Sequence, residues 1–212
     1  MNRSDEILNI LNKIIPNPIC ELNYSKDYEL LIAVMLSAQT TDKRVNKVTK
    51  VLFNKYKNLK ELKSANYNDI ESIIKELGNY HKKAQAVIDI SKILDEKYDG
   101  RVPKNRIVLE KLPMVGRKTT NVVLSELYNI PNIAVDTHVN RVSKRLGLAK
   151  ENDDVLKVEQ KLKLKFPKES WNNLHKQLVL FGRYQCLAKN PKCENCKFKN
   201  ICKYYKNKKT YK

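Results

Sequence analysis

Only five glycines, Gly78, Gly100, Gly116, Gly147 and Gly182, interrupt the 212-residue chain. Sandwiches, barrels and dinucleotide-binding folds need many tight turns, which glycine supplies most readily. The scarcity therefore excludes those architectures and leaves helices. Apolar residues recur at three and four in Ile7, Leu8, Leu11, Ile14 and Ile15, in Leu30, Leu31, Val34 and Met35, and in Val45, Val48, Val51 and Leu52. Further stripes run through Ile70 to Leu77, Val87 to Leu94, Ile107 to Leu112, Asn121 to Tyr128, Val139 to Leu146, Val155 to Leu164 and Trp171 to Phe181. This one-sided spacing predicts an all-α protein of about ten helices. Pro16, Pro18, Pro103, Pro113, Pro131 and Pro167 fall at the breaks, where a missing N–H does least harm.

Lys and Arg number 42 against 23 Asp and Glu, a formal charge of +19, which points to a polyanionic partner. Most of the excess is lysine, in a chain also rich in Asn, Ile and Tyr, so part of it reflects the base composition of an AT-rich genome. No apolar stretch approaches the ~20 residues of a membrane span. The opening residues, Met1 to Glu6, are polar and mixed in charge, unlike a signal peptide, so a cytoplasmic address is expected.

Cys20 stands alone near the front, whereas Cys186, Cys193, Cys196 and Cys202 crowd the end of the chain. In a reducing compartment such a cluster reads as a metal centre rather than disulfides. Four closely spaced thiolates suit either structural zinc or a four-iron four-sulfur cluster. Lys189, Lys192, Lys197 and Lys199 surround them and can offset a negative centre or meet phosphates.

A second constellation is Leu112-Pro113-Met114-Val115-Gly116-Arg117-Lys118-Thr119-Thr120, a tight turn between two helices. Such a turn directs backbone amides and a helix N-terminus outward, a ready phosphate site. Lys118 sits at the start of the second helix beside Arg117, where the dipole and a neighbouring cation both oppose further positive charge. It reads either as a nucleophile or as an ordinary phosphate-contacting lysine. Asp136, in Val135-Asp136-Thr137-His138-Val139, precedes a helix and reads as its cap, or as an acid that stabilises positive charge or activates water. His138 reads as a packed or capping histidine.

In this order, the hairpin, Asp136 and the cysteines resemble the endonuclease III family of DNA glycosylases and abasic-site lyases, of the helix-hairpin-helix superfamily. The likeness runs from Tyr28 to Cys202 and includes Met35-Leu36-Ser37-Ala38-Gln39-Thr40-Thr41-Asp42 and Gly182-Arg183-Tyr184. It implies an all-α, two-lobed helix-hairpin-helix glycosylase fold. A six-helix lobe would cover 23–130, an iron-sulfur cluster lobe would join 1–22 to 131–202, and a basic tail expected to fray or touch a polyanion would occupy 203–212.

The resemblance also implies a bifunctional enzyme of base excision repair. It would excise oxidised pyrimidines from double-stranded DNA and cleave 3′ to the abasic site by β-elimination through a lysine Schiff base. Lys118 would be the nucleophile, Asp136 its catalytic carboxylate, and Cys186, Cys193, Cys196 and Cys202 the ligands of one four-iron four-sulfur (4Fe-4S) cluster. DNA contacts would fall to Gln39, Asn79, Val115, Gly116, Arg117, Thr119, Lys189 and Lys192, with Gln39 helping to fill the gap left by the extruded nucleotide. The protein is expected to be a monomer, nucleoid-associated and without membrane contact. An attacking amine must be neutral, and burial is the influence expected to make Lys118 so.

Two positions depart from the family pattern. Met114 stands where the hairpin usually has glycine, and Asn79 follows Gly78 where relatives often place a bulky wedge. An adenine-mismatch glycosylase and a non-enzymatic DNA-binding iron-sulfur protein are the alternative readings. The first lacks the catalytic lysine and normally carries an additional C-terminal domain.

Overall fold

The computed structural model describes residues 2–210, the last three by backbone alone. Among the described residues every regular element is helical: α1 (Arg3–Ile14), α2 (Asp27–Leu36), α3 (Asp42–Lys55), α4 (Leu59–Lys63), α5 (Tyr67–Ile74), α6 (Tyr80–Lys97), α7 (Arg106–Leu109), α8 (Arg117–Tyr128), α9 (Thr137–Arg145), α10 (Val155–Lys165), α11 (Trp171–Tyr184) and α12 (Lys203–Thr210), with a 3-10 turn at Lys168–Ser170. None is long and apolar enough to cross a membrane. The chain forms two compact units, one of Glu21–Tyr128 and one of Met1–Cys20 with Asn129–Lys212.

In the unit Glu21–Tyr128, α2 is the core: every residue from Tyr28 to Leu36 is buried, as expected of a helix apolar on all sides. It packs against α3, α6 and α8. Its one buried acid, Glu29, accepts hydrogen bonds at Oε2 from Ser25 N (2.8 Å) and Ser25 Oγ (2.9 Å), which offsets the removal of a carboxylate from water. The short helices α4, α5 and α7 begin at Asn58, Asn66 and Asn105, whose side-chain oxygens accept first-turn N–H groups. These caps satisfy donors that the helices themselves cannot. Five-residue α4 presents only Leu59 and Leu62 to the core, too little for a periodic signal, and it is absent from the stripes that the sequence displays.

In the unit of Met1–Cys20 and Asn129–Lys212, α1, α9, α10 and α11 share a core that includes Ile7, Leu11, Val142, Leu162, Leu178 and Phe181. Gln177 Nε2 ties α11 to the end of α1 through Asn12 Oδ1 and Ile15 O, both at 2.9 Å. The helices α9 and α11 meet at Gly182. A Cβ there would lie 2.8 Å from His138 Cβ and 3.3 Å from His138 Cα, so only glycine permits this approach. The start of α9 is thereby held by α11, and with it Asp136.

The segment expected as a loose basic tail is instead α12 through Thr210, while residues 211–212 lie outside the described residues. Tyr205 is buried in the core of this unit, and the Arg145 guanidinium stacks 4.5 Å from the centroid of the Tyr204 ring. Two aromatic rings supply apolar area that a run of lysines hides in a count of charge.

Candidate active site and cysteine pocket

The hairpin is α7, the turn Glu110–Gly116 and α8. Arg106 pins its two helices together, donating from Nη1 to Glu110 Oε1 (2.9 Å) and from Nη2 to Asn121 Oδ1 (2.6 Å). Within the turn, Val115 N donates to Leu112 O (3.1 Å), and α8 begins as Thr120 N donates to Gly116 O (3.0 Å). Met114 has φ 57, a left-handed conformation that glycine adopts freely and a side chain resists by about 1 kcal/mol. That explains why glycine is usual there. Met114 is 42% exposed, so the turn presents a flexible apolar group instead of bare backbone.

Val115 and Thr119 are buried and Gly116 and Arg117 exposed. Val115 and Thr119 can therefore reach DNA only through their backbone. A Cβ on Gly116 would meet nothing within 4 Å, so glycine there fills no internal need and leaves the surface next to the first turn of α8 bare. The N–H groups of that turn have no partner within the helix. Lys118 is exposed in the same turn, which corrects the expectation of burial. Thr119 and Thr120, the next two residues, take the inward face, and helical geometry leaves the outward face to Lys118.

Two further tips occur in the same unit. Gln39 follows α2 at φ 60, and Asn79 precedes α6 at φ 57; both are exposed. Asn79 is the N-cap residue of α6, yet its side chain makes no cap hydrogen bond, so its amide is not committed to the helix. Lys83, one turn into α6, is a buried charge that motif reasoning passes over. It is 1% exposed, and Nζ donates to Leu36 O (2.9 Å) and Ala38 O (2.8 Å). Burial pulls the pKa of its ammonium group down. The available signal is a charge within the core stripe Lys83, Val87, Ile90 and Leu94, all buried on one face of α6.

Asp136 belongs to the other unit. It is the N-cap of α9, and Oδ1 accepts from Val139 N at 2.8 Å, so the cap is real. One carboxylate oxygen serves it, and the residue is half-buried. Burial holds His138 below the usual imidazole range. Arg141 Nη2 lies 3.2 Å from His138 Nδ1 and donates to Gly182 O (2.8 Å), while its Nε donates to Cys186 O (3.1 Å). Since Arg only donates, His138 accepts at Nδ1 and is a packed, neutral residue.

Cys186, Cys193, Cys196 and Cys202 form no disulfide and line one pocket. Phe181, Phe198 and Tyr204 complete its walls. Burial pushes the Cys196 thiol up, helped by the charges of the other three cysteines. Among the described residues no three His, Cys, Asp or Glu group as a single-ion site. Four sulfur donors share this largely apolar pocket, a setting in which bare thiolates are disfavoured and a bound metal would stabilise them. Arg145 Nη1 lies 3.4 Å from Cys186 Sγ and 2.6 Å from Leu187 O, and its Nη2 donates to Ala188 O (2.9 Å). It thus holds the base of the loop on which Lys189 and Lys192 are exposed.

Residues 32–168 match the family model described as HhH-GPD superfamily base excision DNA repair protein. The chain is 46% identical over 196 residues to endonuclease III of Bacillus subtilis (strain 168), covering 92% of this chain and 90% of the relative. Two solved structures resemble it closely. A trapped endonuclease III–DNA covalent intermediate, an estranged-adenine complex, matches with a TM-score of 0.92 and 44% identity, covering 99% of this chain and 100% of the other. A non-covalent endonuclease III–DNA complex matches with a TM-score of 0.93 and 43% identity, covering 99% of each chain.

Proposed function

The chain belongs to the endonuclease III family within the HhH-GPD superfamily of base excision DNA repair proteins, and on that premise we propose that it is a bifunctional DNA glycosylase and abasic-site lyase. Its substrate is double-stranded DNA carrying oxidised pyrimidines or abasic sites, and it acts as a cytoplasmic, nucleoid-associated monomer. The observation that carries the proposal is Lys118, exposed in the first turn of the second hairpin helix beside the bare surface at Gly116. The structural relative trapped as a covalent intermediate with DNA supports an enzyme nucleophile.

A damaged base is out of reach inside the stack and must be turned out, and weakly paired lesions lower that cost of a few kcal/mol. Phosphates meet the amides at the hairpin tip, Arg117, and the loop carrying Lys189 and Lys192. Gln39 and Asn79 occupy the gap and face the orphaned base. Neutral Lys118 then attacks C1′ of the sugar, and the glycosidic bond breaks with its electron pair leaving on the base. Asp136 supports the positive charge that builds on the sugar. The amine nitrogen loses a proton as the ring opens to the Schiff base. Removal of a C2′ proton then expels the 3′ phosphate and nicks the strand. Lys118 is exposed in the free protein, so it is bound DNA that would exclude water from it.

The four cysteines would hold one four-iron four-sulfur cluster, a reading supported by four sulfur donors meeting on one pocket. A bound cluster would tie the four thiolates together, and Arg145, beside Cys186 Sγ and bonded to Leu187 O, would link that site to the basic loop. Purified protein should contain about four irons and four acid-labile sulfides per chain. Cys196→Ser should lower both values together with the melting temperature. One stoichiometric zinc and no iron would overturn the assignment.

Duplexes bearing an oxidised pyrimidine, uracil, an abasic site or adenine opposite oxidised guanine test the function as a set. Nicking at the oxidised pyrimidine and the abasic site, with β-elimination ends, is expected. Adenine release without nicking would identify an adenine-mismatch enzyme, and binding without any reaction would identify a docking protein.

A further inference from the structure

We propose that Lys83 is a positioning residue that holds Gln39 and Asn79 at a fixed spacing, so that the two tips enter the duplex as one rigid fork. The inference rests on the reading of Gln39 and Asn79 as the groups that occupy the gap. Three bonds from this one residue carry it. Lys83 Nζ donates to Leu36 O and Ala38 O at 2.9 and 2.8 Å, the second of these carbonyls immediately preceding Gln39. Its backbone N donates to Asn79 O at 3.1 Å. One buried residue is thus bonded to the end of α2 that leads into one tip and directly to the residue that forms the other.

Lysine suits the position for two reasons. The last carbonyls of a helix have no partner within it and carry the negative end of its dipole, so a buried ammonium both satisfies and attracts them. Gln39 and Asn79 also each hold left-handed backbone, at φ 60 and φ 57. Non-glycine residues keep such a conformation only where their surroundings over-determine it. An apolar side chain at 83 would fill the stripe with Val87 and Ile90 equally well, but it would leave two carbonyls without a donor and the loop before Gln39 untied from α6.

Lys83→Met keeps the length and apolar stem while removing the donors. Single-turnover base release is to be measured on two duplexes, one with the lesion opposite a normal base and one with it opposite an abasic analogue, where no orphaned base needs support. On the first, the rate should fall about a hundredfold, the penalty of a displacement near 1 Å, and on the second by less than about fivefold. Amide exchange over residues 37–40 should also quicken relative to the rest of the protein. Equal losses on both duplexes mark a lysine that only stabilises the fold and overturn the proposal, as does no loss on either. If Lys83→Met fails to fold, Lys83→Gln, which retains an amide donor, replaces it in the same two-duplex comparison: a loss confined to the first duplex supports the fork, and equal losses or none overturn it. The double variant Gln39→Ala/Asn79→Ala separates the underlying reading. If it releases base at the wild-type rate, the gap-filling roles fall whatever Lys83 does, whereas a slow double variant beside a normal Lys83→Met overturns the role of Lys83 alone.

Discussion

Replacing Lys118 by alanine is expected to reduce strand cleavage at abasic sites by about ten-thousandfold or more, because no other group then forms the covalent bond to C1′. DNA binding should weaken by only about threefold, the worth of one exposed charge. The contrast between the two losses is the informative quantity. Lys118 is exposed and follows Gly116 and Arg117, which the substitution leaves in place. A lysine serving only as a phosphate contact would lose binding and cleavage together, and its removal would leave cleavage unchanged at saturating protein. Gel-shift titration alongside single-turnover nicking of the same duplex measures both.

Asp136→Asn should slow release of an oxidised base by about a hundredfold to a thousandfold, the usual range for removing a group that stabilises transition-state charge. Asparagine caps helices about as well as aspartate, so the bond from Val139 N at 2.8 Å has a replacement acceptor. Stability should therefore change by less than about 0.5 kcal/mol, and the substitution separates charge from cap. Asp136→Ala removes both, and should add a stability loss of about 1 kcal/mol. On a preformed abasic site, where no base has to leave, Asp136→Asn should slow nicking by less than about tenfold. A parallel fall in urea midpoint and base release in the asparagine variant would reduce Asp136 to a structural cap.

Much of the fold is legible in the amino-acid pattern, for physical reasons that differ from place to place. Long amphipathic helices such as α3 and α6 announce themselves because each repeats its apolar face over several turns. The hairpin is legible because Pro113 and Gly116 break two such stripes within a few residues, and the shared pocket of the cysteines because Cys186 to Cys202 crowd one short stretch. Short α4 is silent, since its caps and two leucines carry no periodicity. The tail misleads because lysine count outweighs Tyr204 and Tyr205, whose rings decide where α12 lies.

The site is harder to read where chemistry depends on exposure rather than residue type. A neutral amine calls for a buried Lys118, yet helical phase gives the inward face to Thr119 and Thr120. Drying then has to accompany DNA binding instead of preceding it. Met114, as a residue type, suggests a change in how the turn meets phosphate, whereas its φ of 57 shows methionine holding the left-handed backbone that glycine adopts freely. Lys83 passes for one more lysine among many, because a formal charge is counted the same in water and in a core. Its spacing with Val87, Ile90 and Leu94 is the feature that sets it apart.

The most direct measurement is the site of covalent attachment. The unaltered protein should be incubated with a duplex containing one abasic site in the presence of borohydride, which reduces a Schiff base to a stable amine, and the adduct digested and mapped by mass spectrometry. The sugar should be found on Lys118 in the peptide that follows Arg117, and on no other amine. A stable adduct on a different lysine or on the N-terminus, or nicked product with no adduct at all, would contradict the account.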